Sequence, residues 1–208
     1  VTSYTRSKTL AQRKLEELIT IREAGLDRIH VGLETGDDEL LKIVRKGVTS
    51  TEQIEGGKKA MAAGFQLSEY WMPDLGGRER WRQHAENTAR VLNEINPHYI
   101  RSRPFVPRQG TEIFEDYEQG RLHISSPHER LEELRVMIEK LEVTSRVCFD
   151  HNMNSWTNRQ GGLLFQMDYE GYKFPEEKPL VLELIREGLS VDEDRHINIK
   201  ELIAMGSL

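Results

Sequence analysis

The stretch Arg28-Ile29-His30-Val31-Gly32-Leu33-Glu34-Thr35-Gly36 decides the fold. Apolar and polar residues alternate through it as in a β-strand, with Ile29, Val31 and Leu33 on one face and His30, Gly32 and Glu34 on the other. Ahead of it, residues 10–24 read as a helix with Leu15, Leu18 and Ile19 at helical spacing, and Gly25 suits a left-handed stop. Helix, breaker and strand then recur. Ser50-Thr51-Glu52-Gln53 reads as a capping box for a helix running through Ile54, Ala60 and Met61 to Gly64, and residues 65–72 form the next strand. Trp81, Ala85, Thr88, Leu92 and Ile95 share one face of a third helix that closes at Asn96-Pro97, before an extended stretch at 98–104. Gly25 and Gly64 stand 39 residues apart, Gly64 and Asn96 32. That spacing predicts successive strand–helix units in a parallel sheet, open or closed into a barrel, and disfavours a helical solenoid.

Past Pro107 the character changes. Arg108-Gln109-Gly110 reads as a turn and 113–117 as a short helix. Ser126-Pro127-His128-Glu129 joins a capping box to a proline at the first helical position, opening a helix striped by Leu131, Leu134, Met137, Ile138 and Leu141. Val147-Cys148-Phe149 suits another strand, 151–176 a long ordered loop or lid, 179–189 a last helix, and 205–208 a frayed or vector-derived end.

The chain has 208 residues, enough for a sizeable core, and a formal net charge of -6 that disfavours nucleic acid as a main partner. No apolar run approaches the ~20 residues that span a bilayer, and no signal-peptide pattern opens the sequence. The single cysteine, Cys148, excludes an internal disulfide framework and reads as a buried small hydrophobe. These features predict a cytoplasmic protein with no membrane partner. The opening Val1-Thr2-Ser3-Tyr4, without Met and at the end of a strand, reads as the later part of a longer protein. Exposed edges at 1–3 and 29–33 would then favour self-association.

The polar face of the first repeated strand sets Glu34 at its C-terminal end, where parallel α/β folds bind ligands; the competing reading is a helix-capping glutamate. Arg101 and Arg103 share a face with Tyr99 on an interior strand and need acidic partners, either a ligand carboxylate or Glu34 or Glu69. Gly76-Gly77 would allow close backbone approach to a ligand. The seven histidines are scattered without metal-site spacing; His151, in Asp150-His151-Asn152-Met153-Asn154 near Trp156, is the most site-like, though a backbone-bonded loop histidine suits it better.

Three motifs in order carry a resemblance. Residues 28–41, running on to Arg45-Lys46-Gly47, resemble the fourth-strand region of radical S-adenosylmethionine (radical SAM) enzymes, Tyr70-Trp71-Met72-Pro73-Asp74-Leu75-Gly76-Gly77 their fifth strand and its turn, and 100–107 with Gly110-Thr111 their sixth strand and exit. The branch with oxygen-independent coproporphyrinogen oxidases, methylthiotransferases and elongator-type enzymes is most similar. The resemblance implies an α/β fold: the later half of a partial parallel (β/α)6 TIM-like barrel at 1–115, with a C-terminal helical and loop extension at 116–208. It also implies S-adenosylmethionine and a [4Fe-4S] cluster as cofactors, and a 5′-deoxyadenosyl radical that abstracts hydrogen from a small-molecule or unidentified substrate. Glu34, Thr35, Lys46, Tyr70, Arg101 and Arg103 fall at cofactor-binding positions, with Glu69 able to stand in for Tyr70 and backbone at 105–106 flanking adenine. His151 and Asn154, with Asp150 and Trp156 near, are substrate candidates. The family's C-x-x-x-C-x-x-C loop is absent, so no metal ligand is assigned here and activity belongs to a longer parent. Two other readings stay open: a degenerate barrel acting as a non-catalytic binding or scaffold module, and a hydrolase or aldolase barrel with Glu34 as acid–base.

Overall fold

Six strands lie in sequence order in one sheet, β1-β2-β3-β4-β5-β6. The structure, a computed structural model, describes residues 1–204, so the reading at 205–208 lies outside the described residues. The strands are β1 (Thr2–Thr5), β2 (Arg28–Glu34), β3 (Gln66–Trp71), β4 (Tyr99–Ser102), β5 (Arg146–Cys148) and β6 (Tyr172–Lys173). The first five are parallel and β6 runs antiparallel to β5. The later-half barrel is therefore an open sheet with helices as crossovers.

Those crossovers are α1 (Ser7–Gln12) and α2 (Leu15–Glu23), α3 (Asp38–Ile43) and α4 (Ser50–Ala62), α5 (Gly77–Ile95), then α6 (Glu112–Glu118) and α7 (Pro127–Lys140). Helices α8 (Lys178–Leu189) and α9 (Ile199–Ala204) follow β6. Ile29, Val31 and Leu33 of β2 lie in one core with Leu67, Trp71, Ile100, Leu92, Leu131 and Ile185. Each such aliphatic burial contributes about 1.5–3 kcal/mol. The same core takes in Val147 and Tyr172, so the 116–208 segment extends both sheet and core.

Several local expectations shift. The helix foreseen at 10–24 is two helices, because Arg13 and Lys14 are extended. The separate α1 packs on α4 at Gly56, where a Cβ would sit 2.5 Å from the Ser7 carbonyl oxygen. The α4 capping box is Thr49 with Glu52, not Ser50 with Gln53: Thr49 N–H donates to Glu52 Oε2 at 2.8 Å and Glu52 N–H to Thr49 Oγ1 at 3.2 Å. The box at Ser126 and Glu129, with Pro127 at the first turn, stands as read. Residues 29–33 are not an edge, since β2 pairs with β1 on one side and β3 on the other. The loop after β5 is ordered by a Thr157–Leu163 bridge and by β6.

Candidate functional site

Strand β2 ends with Glu34 in the left-handed region, φ 63°, beside a register shift between Gly32 and Glu34. That turn folds the carboxylate over Gly32, where a Cβ would meet Glu34 Oε1 at 2.3 Å. Helix α3 closes with Arg45 also left-handed, φ 52°, and Lys46 N–H donating back to the Leu41 carbonyl. This cap delivers Lys46 Nζ to 2.7 Å from Glu34 Oε1, with the two side chains 29% and 23% exposed. Capping of α3 falls to Asp37, whose Oδ1 accepts from Leu40 N–H, and not to Glu34. Arg80 Nη2 donates to both oxygens of Asp37, and Asn87 adds a third bond.

Thr35 is fully buried and faces the packing, not the rim. His84 Nε2 lies 2.9 Å from the Met72 carbonyl and must donate to it, so Nδ1 accepts from the Thr35 hydroxyl at 2.7 Å. Burial holds this histidine neutral and lowers its pKa to about 4. The Thr35 oxygen also accepts from Asp37 N–H, which ties the hydroxyl into the turn. Thr35 is thus a positioning residue.

Above the strand ends lies a cavity of about 660 Å³, with Glu34 and Lys46 beside an apolar wall of Met72, Leu75 and Phe105 and the Gly76 bend. Arg101 and Arg103 are elsewhere. Register places Arg101 opposite Cys148, so Asp150, two residues on and just past the end of β5, reaches the same sheet face. Arg101 Nη1 donates to Asp150 Oδ2 at 2.8 Å and Arg103 Nη1 to Asp150 Oδ1 at 3.1 Å. The arginines' acidic partner is therefore Asp150, not Glu34 or Glu69; Glu34 is already held by Lys46. Arg101, wholly buried, also donates to Ser68 Oγ and the Tyr169 carbonyl.

Tyr70 turns to the same face as Arg103, whose guanidinium lies 4.8 Å from its ring centroid, and its hydroxyl is 3.0 Å from His30 Nδ1. Burial pushes that phenol well up. Glu69 is buried with Oε2 unpartnered; burial first, then the Glu34 charge, raises its carboxyl well above the usual range. Asn154 exchanges bonds with Ser102, accepting from its hydroxyl at 2.8 Å and donating to its carbonyl at 3.2 Å. His151 accepts from Met153 N–H, as a backbone-bonded loop histidine would, and Trp156 donates to the Pro127 carbonyl. The 150–156 segment thereby anchors the loop to β4 and α7. Gly77 does admit a close backbone approach, but to the His123 carbonyl of this chain.

Sequence reading missed a buried polar knot behind the turn after β3. Glu133 Oε2 accepts from Asp74 N–H at 2.7 Å, Asp74 Oδ1 accepts from Ser125 N–H, and Arg130 stands 3.7 Å from Asp74 Oδ2. Burial raises Asp74 to about 6 and Glu133 well above its usual range. The available signal was Glu133 beside Leu134 and one turn before Met137 on an apolar stripe.

Among the described residues no three His, Cys, Asp or Glu side chains gather to hold a metal. Cys148 is buried, its thiol pushed up to about 12 by desolvation, the opposite of the thiolate a cluster requires. No helix of the described residues is long and apolar enough to cross a membrane.

Residues 1–86, which contain β1–β3, Glu34, Lys46 and Tyr70, match the family model "Radical SAM superfamily". That segment is similar to the radical SAM superfamily. A curated relative, heme chaperone HemW of Bacillus subtilis (strain 168), is 25% identical over 160 residues, 70% of this chain and 41% of that protein. The solved structure of Elp3 from the archaeon Methanocaldococcus infernus superposes with TM-score 0.59 at 17% identity, over 89% of this chain and 41% of Elp3. The radical SAM likeness thus includes the fold, and this chain spans about two fifths of each of those proteins.

Proposed function

We propose that this chain is part of a radical SAM protein, binds S-adenosylmethionine at the rim cavity and belongs to a longer protein whose [4Fe-4S] cluster rests on cysteines other than Cys148. The Glu34–Lys46 pair at 2.7 Å carries the reading. An α-amino acid presents an ammonium and a carboxylate side by side, and this pair is their complement. Glu34 would take the ammonium and Lys46 the carboxylate, replacing one part-exposed ion pair with two charge-assisted ones. Met72, Leu75 and Phe105 offer an apolar wall for an adenine ring. In this family the bound cofactor supplies a 5′-deoxyadenosyl radical for hydrogen abstraction from substrate. The residues here do not fit the cluster, so this chain's part is to hold and orient. Thr35 and His84 fix the turn beneath Glu34, and Asp150 fixes the arginines away from it.

Titration calorimetry of the chain with S-adenosylmethionine tests this. Binding weakened about tenfold or more by Glu34→Gln, for one lost charge-assisted bond, is the expected result. No binding by the unaltered chain overturns it. Cys148, buried and no cluster ligand, is equally compatible with a second reading, a binding module without redox chemistry. Iron–sulfur absorbance after reconstitution of the longer protein decides between them. The exposed β1 edge, paired among the described residues only with β2, supports self-association of this chain; a monodisperse monomer in light scattering would exclude it.

A further inference from the structure

Next to the rim cavity lies a second groove of about 540 Å³ that the cofactor reading leaves unused. Arg6, Lys8, Arg45 and Lys46 line it with Ser7, and no acidic residue does. In a chain of net charge -6, four cations on one small concavity stand apart from the average. Lys46 is neutralised by Glu34 and Arg45 meets Glu112 at 3.2 Å. Among the described residues Arg6 has no acidic partner, and Lys8 donates only to the Gly47 carbonyl at 3.0 Å. Two positive charges therefore face the groove without compensation.

A second observation is independent of charge. Ser7 lines the groove and is 4% exposed, and among the described residues its buried hydroxyl has no hydrogen-bond partner. A buried hydroxyl left without a partner is destabilising, and a ligand oxygen that reached it would restore the bond. Arg45 adds a third. It occupies a left-handed cap position where glycine is the usual residue, and it lines the groove and the rim cavity alike.

We infer that this groove binds the phosphate of a small phosphorylated ligand beside the cofactor cavity, with which it shares Val44, Arg45 and Lys46. A phosphate carries more than one negative charge and enough acceptor oxygens for the Arg6 fork, the Lys8 ammonium and the Ser7 hydroxyl together. A monocarboxylate would leave part of that donor set unmet.

The test is calorimetry on this chain with inorganic pyrophosphate, against acetate and a single-stranded oligonucleotide, at two salt concentrations. Pyrophosphate should bind at least tenfold more tightly than acetate. Arg6→Gln and Lys8→Gln should each weaken it about tenfold, and Ser7→Ala should weaken it without altering charge. Arg186→Gln, on the distant and exposed face of α8, should change nothing. Circular dichroism of each variant reports folding, and S-adenosylmethionine binding by Arg6→Gln separates this groove from the Glu34 site. Pyrophosphate affinity unchanged by Arg6→Gln and Lys8→Gln, affinity lost equally in Arg186→Gln, or preferential oligonucleotide binding overturns the proposal.

Discussion

Two carboxylates close to the same sheet end are held in opposite ways. Glu34 has one ammonium at 2.7 Å and keeps part of its surface in water. Asp150 is 9% exposed and clamped between two guanidinium groups, one of them wholly buried. An exposed pair exchanges partners at little cost, because water compensates each half. A buried clamp cannot, because removing one member strands the others without solvent. Glu34 therefore suits ligand exchange, and Asp150 suits architecture.

The hardest blow to this contrast is Asp150→Ala. It should cost about 3–5 kcal/mol in denaturant unfolding, since two arginines lose their counter-charge. A loss below about 1 kcal/mol would place the clamp among ordinary surface pairs.

Acidity sharpens the contrast next, through the buried Asp74. Its pKa rises from 3.8 to about 6 on folding, so the folded state holds the proton more tightly than the unfolded one. Its stabilising contribution is full below about pH 4 and is lost as pH rises through 6, a swing of ~3 kcal/mol. Glu133 pushes in the same direction. Asp74→Asn, which can still accept from Ser125 N–H, should flatten the stability profile between pH 4 and 7. An undiminished slope in that variant would remove Asp74 from the account.

The smallest stability effect belongs to Glu34→Gln. Loss of a part-exposed pair should shift unfolding by less than about 1 kcal/mol while cofactor affinity drops. A large destabilisation would make Glu34 a second Asp150 and erase the distinction.

The difference in legibility between these two regions has a physical origin. The alternation of Ile29, Val31 and Leu33 and the Ser126-Pro127 cap are short-range patterns, and both read directly from sequence. Glu34 and Lys46 are 12 positions apart, joined by one turn and one short helix; the strand pattern pointed to Glu34, and the family resemblance added Lys46. Asp150 meets Arg103 across 47 positions, and only the β4–β5 register decides that meeting. The break at Arg13 and Lys14 was hidden for a similar reason: it answers to the close approach of α1 to Gly56, not to a proline or glycine at the break. Thr35 was legible as a neighbour of the site, but not its commitment to His84, which arrives from α5.

Gly32 has a consequence for separating folding from recognition. A methyl group there would collide with the tip of the Glu34 side chain, 2.3 Å away, and with Lys46 Nζ at 3.1 Å. Both are ends of flexible side chains, so the strand would keep its ladder and only the charges would be evicted. On the proposed reading, alanine at this position should leave the protein folded and weaken its binding of S-adenosylmethionine, and the hydrogen on Cα is the floor on which the acid rests.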